Sequence, residues 1–407
     1  MKAWVFVLLC LAAALSVLAE RKPNPVALLA GGEGRVFLVS PTGETTWERK
    51  VEGRVARVGS LGGKVYWETS AGLGRVDVVS GRVDTPSASD AEKAFGGRQG
   101  KHDAAKLLAN VGLRSEDLTA PVFQQILYMW PNGTCVHVPP ADVARMRAGA
   151  LGAGLAKPLR PRKVLVVSRS HGYGHVHALA WGSRGFAVAA EATGAFAATV
   201  SDDVSVLADS AKLAAYDAVV VNNCTGLGKS NCPGVEEALT GYCRNGGGVV
   251  FLHSAADAFF DCPKVLEMLG GVFFGHPWHL GKWRFRNEIP AHPLNAPFAG
   301  EPVFHAVDEI YMQKSPPYDR SKTKVILSLD MSDRPTADAA ERWSKNPAVK
   351  DRFPLRADGD YAVSWLHPYG KGRVFHTSFG HDEKAFLDPR VFAHILLGVQ
   401  YAAGDAR

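Results

Sequence analysis

The sequence lacks the features that mark nucleic-acid-binding and membrane-spanning proteins. Its 407 residues carry a formal net charge of only +6, spread along the chain. The densest basic stretch, residues 157–163, is interrupted by two prolines and accompanied by no nucleic-acid-binding motif, so it is typical of a solvated linker. After residue 20, no apolar run reaches the roughly 18–20 residues that cross a bilayer. We therefore expect neither a nucleic acid nor a membrane as a partner of the mature protein.

Residues 1–19 have the pattern of a secretory signal peptide. Lys2 precedes a largely apolar run from Ala3 to Leu18, and the segment ends in small residues at Ala19. An uncleaved membrane anchor is the alternative, but the apolar run is short for a bilayer span. The sequence therefore predicts cleavage near Ala19 and a periplasmic or secreted protein.

Cysteine is scarce, with six in the whole chain. Five would remain after cleavage, and an odd number leaves at least one free thiol even in an oxidising compartment. Cys224 and Cys232 bracket a glycine-containing loop and form the candidate disulfide. The alternative, that all five are buried small hydrophobic side chains, stays open.

The length predicts more than one domain. Residues 20–95 consist of short apolar runs separated by turns, which predicts a small β-rich region. Two similar segments about 40 residues apart, 35–43 and 75–81, are typical of propeller blades, although the region is too short for a closed propeller. Residues 96–160 form a mixed linker region, with predicted helices at 103–111 and 141–150 and a hairpin within 123–138.

Residues 161–405 alternate between strand and helix patterns. Predicted strands at 163–168, 196–200, 217–222 and 248–252 are each followed by a predicted helix, and a helix at 388–402 ends the region. This alternation favours a mostly parallel sheet covered on both faces. A glycine-rich turn at residues 370–373 predicts a hairpin and, with it, an antiparallel edge.

Twelve of the fourteen histidines lie between His171 and His394. Three of them, His175, His253 and His381, follow three different apolar runs. Ligands of parallel α/β sheets bind beyond the carboxyl ends of the strands. We therefore expect these three imidazoles to lie within roughly 10 Å of one another, although 78 and 128 residues separate them in the chain.

Short motifs occur in a characteristic order: GYGH (172–175), YDAVVVNN (216–223), GGGVVFLHSAAD (246–257), GHPWH (275–279), HPL (292–294), DEIY (308–311) and GH (380–381). In this order and spacing, residues 163–404 resemble the ThuA-like (trehalose utilisation) domain family. The resemblance implies an α/β fold, a flavodoxin-like sandwich like that of class I glutamine amidotransferases, here preceded by a small β-rich N-terminal domain. It also implies a link to disaccharide or keto-sugar metabolism.

Glutaminase chemistry is disfavoured by the residues themselves. It needs a cysteine on the turn after a central strand, activated by a histidine. His253 occupies that place here, so the His381-x-Glu383 pair has no thiol to activate. Ser254 lacks the Gly-x-Ser-x-Gly turn of serine hydrolases.

The candidate site combines imidazoles with carboxylates, which are the ligands that zinc and similar divalent metals take. His175, His253 and His381 are the predicted catalytic residues, as acid/base groups or metal ligands. His276 and His279, separated by a proline and a tryptophan, are further predicted metal ligands on a loop. The predicted substrate-binding residues are Tyr173, Asn223, Ser254, Asp257, Trp278, Glu309 and Tyr311. A metal-free polar sugar pocket is the alternative.

These features predict an exported ThuA-like protein that acts on a small carbohydrate or keto-sugar, as a hydrolase, a lyase or an isomerase. The alternative is a non-catalytic carbohydrate-binding or interaction protein, because fold resemblance alone does not separate the two. The sequence leaves open whether the chain forms a homo-oligomer.

Overall fold

The chain forms two compact units, Met1–Val138 and Pro139–Arg407. The computed structural model describes residues 140–406 except 202 and 299, together with shorter stretches before them: 5–10, 26–31, 35–39, 45–50, 52, 55–61, 64–69, 71–77, 82–94, 126–129 and 135–138. Within this part of the chain, no helix is long and apolar enough to cross a membrane.

The described part of the first unit is mainly antiparallel β structure. Its strands are β1 (Val5–Cys10), β2 (Val26–Gly31), β3 (Arg35–Val39), β4 (Thr45–Lys50), β5 (Val55–Leu61), β6 (Lys64–Thr69), β7 (Gly72–Asp77), β8 (Val83–Asp84), β9 (Ile126–Met129) and β10 (Cys135–His137), with helix α1 (Ala88–Ala94). They pair as sheets β2-β1-β10-β9, β3-β4 and β5-β6-β7-β8. The strands expected between residues 26 and 77, and the hairpin expected within 123–138, are present. The helix expected at 103–111 lies outside the described residues.

The second unit contains a nine-stranded mixed sheet. Its strands are β11 (Lys163–Val167), β12 (Ala197–Ser201), β13 (Ala218–Asn222), β14 (Gly248–Leu252), β15 (Trp278–Asn287), β16 (Val303–Ile310), β17 (Lys324–Leu329), β18 (Ala362–Tyr369) and β19 (Gly372–Thr377). They lie in the order β12-β11-β13-β14-β19-β18-β17-β15-β16. The five strands β12, β11, β13, β14 and β19 pair in parallel, and the pairings from β19 through β18, β17 and β15 to β16 are antiparallel. The chain is therefore an α/β protein with a large mixed sheet.

Helices precede, separate and follow these strands in the chain: α2 (Pro140–Leu151), α3 (Val176–Thr193), α4 (Ser210–Leu213), α5 (Val235–Arg244), α6 (Pro263–Leu269), α7 (Arg334–Lys345), α8 (Glu383–Leu387) and α9 (Pro389–Ala403). Short 3-10 turns add Val204–Ala208, His253–Asp257 and Pro293–Phe298. The second unit includes α2, which the sequence analysis placed in the linker region 96–160.

The central strands are buried on both faces. Every residue of β13 and β14 is buried, as is each residue of β11 after Lys163. These strands are continuous runs of branched and aromatic apolar residues, as parallel strands covered on both sides require. Alternate residues, such as Val219 and Val221, join one apolar core with helices α5 and α6. This burial fixes the strand ends, from which the site residues project.

Two features differ from the sequence-based expectations. The predicted hairpin is present, with Tyr369 opposite Gly372, but it lies inside the sheet because β17, β15 and β16 continue beyond it. Helix α7 was not expected. Asp333 caps it by accepting a hydrogen bond from the backbone of Thr336, and it buries Thr336, Ala339 and Trp343 at helical spacing.

A buried histidine predicts acid-sensitive stability. The fully buried His394 donates from Nδ1 to the carbonyl of Leu294 at 2.7 Å, and burial lowers its pKa to about 4. Below pH 6.5, His394 therefore binds a proton in the unfolded chain but not in the folded protein. The free energy of unfolding falls as the pH drops from 6.5 to 4. Compared by urea unfolding, His394→Gln should cost about 2–3 kcal/mol less at pH 4.5 than at pH 7. Equal costs at both pH values would contradict this.

Candidate functional site

Three strand ends bring three imidazoles together. His175 precedes helix α3 after β11, His253 directly follows β14, and His381 follows β19. The ring centroids of His175, His253 and His381 lie 5.1–5.2 Å apart. The expected convergence of the three imidazoles is confirmed, and the distances between them are about half the expected upper limit of roughly 10 Å.

The backbone and one hydrogen bond fix the orientation of His253. Its φ of 44° lies in the left-handed region, which a residue with a Cβ adopts at a cost. Its Nδ1 lies 2.7 Å from the carbonyl oxygen of Ser378. Because a carbonyl only accepts, Nδ1 carries the proton and Nε2 keeps a lone pair. That Nε2 lies 3.2 Å from Nδ1 of His381. Metal-binding histidines usually have such a carbonyl partner on the other nitrogen.

His175 has one occupied nitrogen and one free nitrogen. Its Nε2 lies 3.3 Å from the hydroxyl of Tyr311, while its buried Nδ1 has no hydrogen-bond partner. The residue stands at the N-cap position of α3 but makes no capping hydrogen bond with its side chain. Its imidazole is therefore available to the site.

Glu309, on β16, provides the carboxylate at the centre of the cluster. Its Oε1 lies 3.3 Å from Nδ1 of His381 and 3.7 Å from Nε2 of His253. One ligand atom from each of His175, His253, His381 and Glu309 lies within 4.8 Å of all the others. From its sequence position, Glu309 is a predicted substrate-binding residue. The structure makes it the residue that all the site histidines surround.

Burial and neighbouring charges shift the pKa values of these residues in different directions. Burial lowers the pKa of His175 and of His253 below the ordinary value. For His381, burial acts in the same direction, but the carboxylate of Glu309 outweighs it and raises the pKa. The histidines in turn outweigh the effect of burial on Glu309 and lower its pKa. The site therefore holds an ionised carboxylate and two neutral imidazoles at neutral pH, the protonation states that metal ligation uses.

A second pair of histidines faces the other side of the same carboxylate. Glu309 Oε2 lies 3.3 Å from Nδ1 of His276 and 3.7 Å from Nδ1 of His279. These two nitrogens lie 3.1 Å apart. Unlike the buried His253, both side chains reach solvent, with exposed fractions of 35% and 64%.

Asp308 is the site residue that the sequence analysis missed, although it lies in the quoted DEIY motif. Its fully buried carboxylate accepts backbone hydrogen bonds from Gly380 at 2.7 Å, His381 at 3.1 Å and Glu309 at 2.9 Å. Burial raises its pKa to about 7. It therefore ties the loop that carries His381 to the strand that carries Glu309, and we regard it as a positioning residue.

Substitution of Asp308 tests that role. In Asp308→Asn, the amide nitrogen cannot accept the second loop hydrogen bond, so a buried N–H stays unpaired. We expect a loss of about 1–3 kcal/mol in the free energy of unfolding and a loss of about 10–100-fold in Zn²⁺ affinity. The exposed Asp351→Asn is the control, measured by urea unfolding and metal titration. Unchanged metal affinity in Asp308→Asn would show that Asp308 does not position His381.

The other predicted site residues fall into two groups. Tyr173 is exposed, with its ring 4.9 Å from that of His175, and Asp257 is half-buried with its pKa raised to about 6 by burial. Asn223 and Ser254 are fully buried, and Asn223 Oδ1 and Ser254 Oγ have no hydrogen-bond partner. All four residues lie on segments that follow β11, β13 or β14.

The structure corrects the role predicted for Trp278. It is fully buried, its indole N–H donates to the carbonyl of Thr336 at 3.0 Å, and its ring packs edge-on against Tyr361. It has no face left for a sugar, so the predicted substrate-binding role is wrong. Trp278 belongs to the core between strand β15 and helix α7.

The structure separates two residue pairs that the sequence suggested, His381 with Glu383 and Cys224 with Cys232. Glu383 lies 3.0 Å from His177 through its Oε2, so it does not serve as the carboxylate partner of His381. Cys224 and Cys232 are both buried free thiols, each directed at a backbone carbonyl. The candidate disulfide between them is absent, and the alternative of buried thiols describes both residues.

The donor set fits a divalent metal. Three imidazoles and one carboxylate are the ligands that zinc takes, and two nitrogens bound to one tetrahedral ion lie about 3–3.5 Å apart. The 3.2 Å between the facing nitrogens of His253 and His381 matches this spacing. The unpartnered Nδ1 of His175 is a further buried donor atom that a ligand would satisfy.

Comparison with known proteins identifies the family. The family model described as ThuA, trehalose utilisation, matches residues 163–402, which is more than half of the chain. The chain therefore belongs to the ThuA family. No protein of curated function matches it.

The solved structures that are similar to this chain include two ThuA-like proteins. A ThuA-like protein from Bacteroides uniformis ATCC 8492 is 20% identical, with a TM-score of 0.46 over 61% of this chain and 94% of that one. A ThuA-like protein from Parabacteroides merdae ATCC 43184 is 18% identical, with a TM-score of 0.42 over 61% of this chain and 91% of that one.

Proposed function

We propose that this protein is a metal-dependent enzyme that acts on a small carbohydrate or keto-sugar. The observation that carries the proposal is the convergence of His175, His253, His381 and Glu309, whose ligand atoms lie within 4.8 Å of one another. The sugar class comes from membership of the trehalose utilisation family.

The residues of this cluster have separate tasks in the proposal. His253, His381 and Glu309 hold a divalent ion, and His175 completes the set with its second nitrogen held near the hydroxyl of Tyr311. A bound ion supplies Lewis-acid polarisation of a substrate oxygen or a lowered pKa for a water molecule. Tyr173, exposed at the rim, offers an aromatic face to the sugar ring, and Asp257 offers a carboxyl group that can exchange a proton.

We also propose that the protein has no glutaminase activity. The left-handed backbone of His253 follows a central parallel strand, at the turn where that chemistry places a cysteine thiol. An imidazole there cannot form the thioester that glutaminase chemistry requires.

We also propose that the sheet is flavodoxin-like and that the first unit is a small β-rich domain. The parallel strands β12-β11-β13-β14-β19 follow the sequence order second, first, third, fourth and fifth. This is the strand order of the flavodoxin-like fold, and the site lies at the carboxyl ends of these strands, where such folds bind ligands. The antiparallel sheets of the first unit support its description as β-rich.

Export is proposed from the sequence of residues 1–19, with a periplasmic or secreted location. Cleavage near Ala19 would also remove strand β1 from the mature chain. The intact mass of the native protein should therefore lack about 19 residues. Recovery of the full-length chain, with Met1 retained, in the cytoplasmic fraction would contradict export.

Turnover on a panel of disaccharides and keto-sugar glycosides tests the enzyme proposal. We expect activity in the full chain loaded with Zn²⁺, loss of activity after chelation and recovery on adding the ion back. His253→Ala should remain inactive under the same conditions, whereas the exposed His305→Ala should match the wild type. Tight sugar binding without turnover, with any divalent ion, would instead support the non-catalytic alternative.

A further inference from the structure

Glu309 presents its two carboxylate oxygens to two different pairs of histidines. Oε1 lies nearest to His381 and His253, at 3.3 and 3.7 Å. Oε2 lies nearest to His276 and His279, also at 3.3 and 3.7 Å. The two pairs therefore face opposite ends of one carboxylate.

Within each pair, the facing nitrogens have the spacing of two ligands on one ion. The distance is 3.2 Å between His253 Nε2 and His381 Nδ1, and 3.1 Å between His276 Nδ1 and His279 Nδ1. Two nitrogens bound to one tetrahedral zinc ion lie about 3–3.5 Å apart. Each pair, together with its oxygen of Glu309, thus has the donor spacing of a metal site.

We propose that the site holds two divalent ions bridged by Glu309. His253, His381 and His175 ligate the inner ion, and His276 and His279 ligate the outer ion. This inference rests on the proposed function, because it assigns a second ion to the same site and gives that ion the contact with substrate.

The two positions differ in exposure and in ligand number. The inner position has four protein donors from side chains that are buried or nearly so. The outer position has three, and the exposed fraction of the His279 side chain is 64%. A zinc ion with three protein ligands keeps an open coordination position for water or substrate. The outer ion therefore binds more weakly and takes a hydroxyl or carbonyl oxygen of the substrate.

The open position on the outer ion defines the substrate class. In two-metal sites, whose ions lie about 3.5–4 Å apart, the metals stabilise the attacking and the leaving oxygens of a displacement. Sugars carry hydroxyl or carbonyl oxygens that can reach such an open position. The substrate class is therefore a sugar that contacts the outer ion through one of these oxygens.

Metal stoichiometry tests the inference independently of activity. The full chain, freed of metal with a chelator, is titrated with Zn²⁺ and assayed for bound metal. We expect two ions per chain with separate affinities, and one ion, the tighter, in the double variant His276→Ala/His279→Ala. His305→Ala on the same strand as Glu309 is the control and should bind two. Circular dichroism checks that the double variant is folded, which the exposure of both side chains favours.

A spectroscopic measurement gives a second readout. With Mn²⁺ in place of Zn²⁺, the wild type should give the electron paramagnetic resonance spectrum of two coupled ions, and the double variant that of one isolated ion. One ion in both proteins would overturn the second site and leave the proposed function intact. No bound ion would overturn both, and two ions in the double variant would place the second ion elsewhere and overturn the bridge.

Discussion

Glu309→Gln is expected to abolish metal binding and turnover together. The substitution keeps the size of the side chain but replaces one oxygen with an amide nitrogen that cannot ligate, and it removes the negative charge facing four imidazoles. Changes to groups that only orient metal ligands already cost about 10–100-fold in affinity. Loss of a ligand that serves both pairs of histidines should therefore cost at least about 100-fold.

The measurement is Zn²⁺ affinity by titration and kcat/KM on the active substrate. Glu301→Gln, an exposed glutamate just before the same strand, is the control and should match the wild type. Retention of wild-type metal affinity in Glu309→Gln would show that the carboxylate is not a ligand. In that case other residues would hold the ion, and the Glu309 carboxylate would act only as a hydrogen-bond acceptor for the site histidines.

Trp278→Ala is expected to destabilise the protein strongly. Removal of a fully buried indole ring leaves a large cavity, which typically costs about 3–5 kcal/mol. It also leaves the carbonyl of Thr336 without its hydrogen bond. Trp278→Phe fills most of the cavity and should cost less, about 1–3 kcal/mol for the unpaired carbonyl and the smaller ring.

Urea unfolding measures both variants, with Tyr173→Ala as the control. Tyr173 is 65% exposed, so its removal should change the free energy of unfolding by no more than about 0.5 kcal/mol. A stable Trp278→Ala protein that had lost only sugar binding would restore the role assigned to this tryptophan from sequence.

The positions of the three principal histidines could be predicted because the information is local. Each follows an apolar run long enough for one buried strand, and parallel strands present their carboxyl ends at one edge. His253 was predictable for this reason before any pairing was known, and the pairing of β13, β14 and β19 brings it to His381.

The role of Trp278 could not be predicted in the same way. Neighbouring residues of a strand point to opposite faces of the sheet. The side chain of Trp278 therefore lies in the core, and that of His279 lies in the site. The sequence around them does not say which face is covered. The covering helix α7 begins 56 residues after Trp278, and it accepts the indole hydrogen bond through the carbonyl of Thr336.

The sequence by itself determined the family, the α/β class of the second unit and the set of histidines from which the site is built, because each depends on short motifs and on their order along the chain. Only the tertiary structure decided that Glu309 lies between two pairs of histidines and that Asp308 holds the loop of His381. Both depend on β16 lying next to β15 while its last residues reach the loop after β19. The contacts of Asp308 with the loop of His381 join residues more than 70 positions apart, and their geometry is set by the pairing of the whole sheet.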